Sequence, residues 1–198
     1  MLMKNIANFL FEVGILKKIP RSGYKFLGTG RESVADHSFR VAVIAYTLAK
    51  NEQKSDTKKV VLMSLFHDLH EARTGDQNYV NKRYVTVDDD KAVRDLAQRL
   101  PFGEEIVSLT HEFNSRETLE ARLSHDADQL DFILELKRQK DLGNRSAAKW
   151  IRYSIKRLNT DIAKKLADEI IKTDSSDWWF KDHEELRVNG QDRINRNK

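Results

Sequence analysis

A single all-α domain is the fold class this sequence predicts. Apolar residues recur at three- and four-residue spacing along most of its 198 residues. Only two prolines and eight glycines punctuate the chain, too few turns for an all-β fold, and only 84–88 (YVTVD) looks strand-like. The length suits one domain with a real core, and no repeat, linker or low-complexity segment divides 1–198.

The elements follow in order. Residues 2–16 place Leu2, Ile6, Phe9, Leu10 and Val13 at helical spacing, and Pro20 stops them. The stretch 20–32 (PRSGYKFLGTGRE) is a loop. A second helix starts near Ser33, where Asp36 completes a capping-box-like pair, and His37, Val41, Ile44, Ala45 and Leu48 make its inward face. The polar stretch 51–57 turns the chain into a third helix, 57–73, antiparallel to the second and stopped by Gly75. Residues 76–88 read as loop or short helix. Further helices are expected over 89–100, 103–112, 117–140 and 146–173, the last with Ile151, Ile155, Leu158, Ile162 and Leu166 inward. The tail after 187 is polar, and Trp178, Trp179 and Phe180 read as core for the last helix.

Composition excludes several classes of function. There are no cysteines, hence no disulfide and no thiolate metal site. No apolar run approaches a membrane span, and Lys4 and Glu12 interrupt the N-terminal apolar stretch as they would not in a signal peptide, so the reading is cytoplasmic. A net charge of +4 and a pI of about 9.2 admit nucleic acid or phosphorylated ligands as partners. Lys149, Arg152, Lys156, Arg157, Lys164 and Lys165 are read as the solvated face of the last helix, which leaves a basic nucleic-acid-binding module as the rival from another class.

One stretch concentrates ionisable groups: SLFHDLHEARTGD, 64–76. With Leu62, Leu65, Phe66 and Leu69 as the buried stripe of a continuous helix, His67 and Asp68 flank a face that also holds Glu71. They form either a solvated rim or half of a metal site. A catalytic metal needs three or four protein groups, and without cysteine these must be His or carboxylate. His37, on the inward face of the second helix, is a satisfied core histidine or a third ligand. In LSHDADQLDF, 123–132, Asp128 lies beside the buried stripe and needs a metal or an arginine as partner, with His125 nearby, whereas Asp126 and Asp131 are expected in solvent. His111 and His183 have no supporting spacing.

The blocks PRSGY (20–24), RESVADHSFRVA (31–42), HDLHEARTGD (67–76) and ETLEARLSHDADQLDFILELK (117–137) resemble, in order and spacing, the HD superfamily of metal-dependent phosphohydrolases, and within it the 5′-deoxynucleotidases. The resemblance covers about 20–140 and implies a single HD-domain helical bundle. It implies that one divalent metal (Mn, Co, Fe or Zn) is held by His37, His67, Asp68 and Asp128. It implies further that Glu71 activates or positions the attacking water, that Asp76 contacts the substrate or assists proton transfer, and that Arg21 engages the phosphate. The implied substrate is a nucleotide and the implied assembly a homodimer. The sequence departs from the family pattern at His70, where many relatives carry a small residue, and at QNYVNKRYV, which lacks a proline expected after Gly75-Asp76. Triphosphates, phosphodiesters and guanosine tetraphosphate are the alternative substrates.

Overall fold

The computed structural model of the chain describes residues 1–180. His183 and the tail after 187 lie outside the described residues. Eleven α-helices follow one another in the described part: α1 (Leu2–Val13), α2 (Tyr24–Leu27), α3 (Val34–Asn51), α4 (Thr57–Phe66), α5 (Glu71–Thr74), α6 (Asp89–Ala97), α7 (Gly103–Ser115), α8 (Leu119–Asp141), α9 (Ala147–Ile155), α10 (Asp161–Lys172) and α11 (Asp177–Phe180), with short 3₁₀ turns at Gly14–Lys18 and Asn81–Arg83. Among the described residues there is no strand, only an isolated bridge between Pro20 and Ser33, and 84–88 is irregular. The all-α prediction therefore holds.

Short polar side chains start these helices. Ser33 and Asp36 form a complete capping box at α3. Asp56, Asp88, Thr118 and Thr160 each accept a hydrogen bond from the backbone N–H three residues on, at the heads of α4, α6, α8 and α10.

The central element is α8, whose 23 residues extend about 35 Å. Leu123, Ala127, Leu130 and Ile133 of α8 pack on Val41, Ile44, Ala45 and Leu48 of α3, with Ala163 and Ala167 of α10 closing the other side. A second cluster joins Leu16, Val34 and Leu69 to Val93 and Leu96 of α6 and Ile106 of α7. Ile6, Phe9 and Val13 of α1 pack against it, while Leu2 and Leu10 are exposed.

Four expectations are corrected. The third helix does not run to 73: α4 ends at Phe66, and the chain tightens into i→i+3 hydrogen bonds (Glu71 N–H to the Asp68 carbonyl, Ala72 to Leu69, Arg73 to His70). Its buried face is Val60, Met63, Ser64 and His67, and Leu65 is exposed, because α4 is packed from the side of α3 and α8. The helix expected over 146–173 is two, α9 and α10, because the buried Asp126 carboxylate binds Asn159 and Thr160 between them and starts a new helix there. Trp178, Trp179 and Phe180 are exposed rather than core.

Candidate active site

Three core helices bring His37, His67 and Asp128 together. His37 lies in the first turns of α3 and His67 at the end of α4, and their rings meet with centroids 5.4 Å apart, as antiparallel neighbours require. Asp128 comes from the middle of α8. One ligand atom from each of the three lies within 4.8 Å of the others. Asp68 joins them, its Oδ2 3.1 Å from His67 Nε2 and 3.6 Å from His37 Nε2.

Both imidazoles are held through Nδ1. His67 Nδ1 is 2.7 Å from the Ser64 carbonyl oxygen, an acceptor only, so Nδ1 carries the proton and Nε2 the lone pair. His37 Nδ1 donates to Asp131 Oδ2 at 2.7 Å. Nε2 of each ring is buried without a hydrogen-bond partner. Two buried orphan nitrogens facing two carboxylates could hold a metal ion, with the imidazoles oriented through Nδ1. Burial and Arg21 push the His37 imidazole down, but Asp128 and Asp131 outweigh them and take it up to about 10. The carboxylates therefore favour positive charge at His37. Burial opposes the charge on Asp68 and Asp128, yet the two histidines and Arg21 hold both well below the usual carboxylate range.

Asp131 and Asp126, expected in solvent, are 1% and 0% exposed. Each has exchanged water for donors, as a buried carboxylate must. Asp131 takes His37 Nδ1 and the Arg40 Nε, and Arg40 also reaches Glu32 at 3.2 Å. Glu32, His37 and Asp131 form a second group with metal-like spacing, but the Arg40 guanidinium already supplies the positive charge there. Asp131, which holds His37 Nδ1, and Arg40, which holds Asp131, are contacts the sequence reading missed. The available signal was a charged residue three positions beyond each core ligand, on α8 and α3.

The tightened turn after His67 places the carboxylates. Side chains three apart eclipse in such a turn, so Glu71 lies beside Asp68. Glu71 is buried, its Oε2 has no hydrogen-bond partner, and burial together with the Asp68 and Asp76 charges pushes its pKa up to about 9. Gly75 takes φ 71°, a conformation other residues resist, and turns Asp76 toward the 20–24 loop. Asp76 Oδ2 accepts from the Ser22 N–H at 2.6 Å and hydroxyl at 2.5 Å, and its Oδ1 accepts from Arg21 at 3.0 Å. Arg21 also reaches Asp68 at 3.3 Å.

These groups open on a cavity of about 680 Å³, lined by Arg21, Asp68, Glu71, Asp76 and Asp128 and by aromatic residues. Among the described residues the other histidines stand apart from the His37, His67 and Asp128 group. His125 lines the cavity but is stacked on Phe113 at 3.8 Å and bonded to the Phe113 carbonyl. His70 sits 3.4 Å from Asp89, and His111 pairs with Asp90 at the surface. Of the basic residues expected on the last helix all are exposed, and Arg157, which falls between α9 and α10, lines the cavity. No helix among the described residues is long and apolar enough to cross a membrane.

Comparison with known proteins agrees with this geometry. The HD domain family model matches residues 13–171. The protein named 5′-deoxynucleotidase HDDC2 from Bos taurus is 30% identical over 148 residues, 72% of this chain and 71% of that one. Its Homo sapiens namesake is 30% identical over 145 residues, 70% of each. A solved conserved hypothetical protein from Pyrococcus furiosus superposes with a TM-score of 0.74 at 26% identity, over 84% of this chain and 99% of that one. The chain belongs to the HD-domain family of metal-dependent phosphohydrolases.

Proposed function

We propose that the protein is a phosphomonoesterase that hydrolyses (deoxy)nucleoside 5′-monophosphates to nucleoside and phosphate. The observation that carries this reading is the pair of buried, unpartnered Nε2 atoms of His37 and His67, facing Asp68 and Asp128 at the head of a nucleotide-sized cavity that Arg21 enters. The relatives named 5′-deoxynucleotidases support the substrate class.

His37, His67, Asp68 and Asp128 would hold one divalent metal, and two imidazoles with two carboxylates suit Mn, Co, Fe or Zn. Bound there, such an ion lowers the pKa of water and neutralises charge gathering on the phosphate. Arg21 offers its guanidinium fork to the phosphate oxygens. Glu71, which lines the cavity, would orient the attacking water and, ionised once a cation is held beside it, take its proton. The protonated carboxyl would then return that proton to the departing nucleoside oxygen, so that water adds across the P–O bond and no further donor is required. Asp76 has both oxygens engaged by Arg21 and Ser22, so we assign it the task of holding Arg21 in place.

Metal analysis of the purified protein, coupled to phosphate release with and without chelator, tests the reading. Deoxynucleoside 5′-monophosphates should yield phosphate only with metal bound. Hydrolysis confined to triphosphates, diesters or guanosine tetraphosphate would replace this reading with another.

A further inference from the structure

The cavity has a second wall that the chemistry above leaves unused. Phe132 lies four residues beyond Asp128 on α8, hence on the same face and about 6 Å further along the axis. Trp150 of α9 packs against it, ring centroids 6.1 Å apart at 50°. Tyr79 and Arg157 face the same cavity from two other segments. The Arg157 guanidinium lies 4.9 Å from the Tyr79 ring centroid and forms no ion pair among the described residues. The Tyr79 side is still open, for the residue is 60% exposed.

Both partners of that stack are anchored to the reaction site. Asn78 Oδ1 accepts the Val80 and Asn81 N–H groups, and Asn78 Nδ2 donates to the Ser22 hydroxyl that binds Asp76. Arg157 precedes buried Leu158 and the Asn159–Thr160 pair, which the Asp126 carboxylate holds two residues before Asp128. A guanidinium stacked on a ring keeps its in-plane N–H donors free, and an aromatic wall offers a face to any planar base.

We infer that Phe132, Trp150, Tyr79 and Arg157 form a nucleobase subsite, and that the Arg157–Tyr79 stack gives the protein its preference for base-bearing phosphomonoesters over base-free sugar phosphates. This rests on the phosphomonoesterase reading for its kinetic consequence, though not for binding.

The experiment compares deoxynucleoside 5′-monophosphates with 2-deoxyribose 5-phosphate in the metal-loaded protein and in Arg157→Ala, Tyr79→Ser and Tyr79→Phe. Arg157→Ala and Tyr79→Ser should raise KM for the nucleotides about tenfold, the scale of one base–aromatic stack, with kcat unchanged. KM for the base-free substrate should stay the same, and Tyr79→Phe should behave as native. Equal KM values for both substrates in the native protein, or equal shifts for both in the variants, would overturn the subsite. Calorimetric binding of the same two compounds separates this from the reaction itself. Tighter nucleotide binding that Arg157→Ala abolishes supports the subsite even if no phosphate is released, in which case only the hydrolase reading fails. Indistinguishable binding of the two compounds removes the subsite and leaves that reading standing.

Discussion

Thr160 gives Asp126 two hydrogen bonds, from its backbone N–H at 2.8 Å and its hydroxyl at 2.6 Å. Asn159 gives the same carboxylate two more, at 2.7 and 3.0 Å. A fully buried acid on α8 thereby starts α10 and fixes the segment carrying Arg157. Asp126→Ala should cost about 2–4 kcal/mol, since it removes four charge-assisted hydrogen bonds that start α10. Chemical denaturation measures the loss, and a change within experimental error would show that water can satisfy these groups.

Asp131 orients His37 without touching the candidate metal position. Asp131→Asn keeps the side-chain shape and loses the charge that fixes the imidazole. Metal affinity should fall about 10–100-fold, as when the outer partner of a metal-ligating histidine is removed. Titration of the metal-free protein with Mn or Co reads this directly, and unchanged affinity would place Asp131 in a purely structural role with Arg40.

Glu71→Gln preserves volume and abolishes the base. A fall in kcat of about 10²–10⁴ is expected, with metal content and fold intact. Full phosphatase activity in this variant would take the proton-transfer role away from Glu71.

Asp76 and Arg21 form one unit. Asp76→Asn and Arg21→Ala should each raise KM for the phosphate ester, and the double variant should be about as impaired as Arg21→Ala alone, because the carboxylate acts through the guanidinium. Additive losses in that cycle would give Asp76 an independent contact with substrate.

Much of this was legible locally. The Ser33–Asp36 capping box and the face of His37, Val41, Ile44, Ala45 and Leu48 are all present as the sequence predicts. Such features depend on neighbours within a turn or two, and the 3.6-residue period reports them. The order His37, His67-Asp68, Asp128 carried the family resemblance before any contact was known. The helical projection of 57–73 misled because it took Leu62, Leu65, Phe66 and Leu69 as the buried stripe, whereas the packing of α3 and α8 buries the face of Val60, Met63, Ser64 and His67.

The sequence by itself determined the all-α class, most helix positions, the Ser33–Asp36 cap and the order of the candidate ligands along the chain. Only the tertiary structure decided which acids are buried and what each one meets. Asp126 and Asp131 look like surface aspartates in a single sequence; their donors lie on α3 and beyond α9, far away in sequence. It also left Trp178 exposed and brought Arg157 from a supposed solvated helix face to the cavity wall. The physical reason is one of range. Helical periodicity and most caps are settled within four residues, whereas the cost of burying a charge, and the break that Asp126 imposes before α10, are settled by the partners that the packing of distant helices delivers.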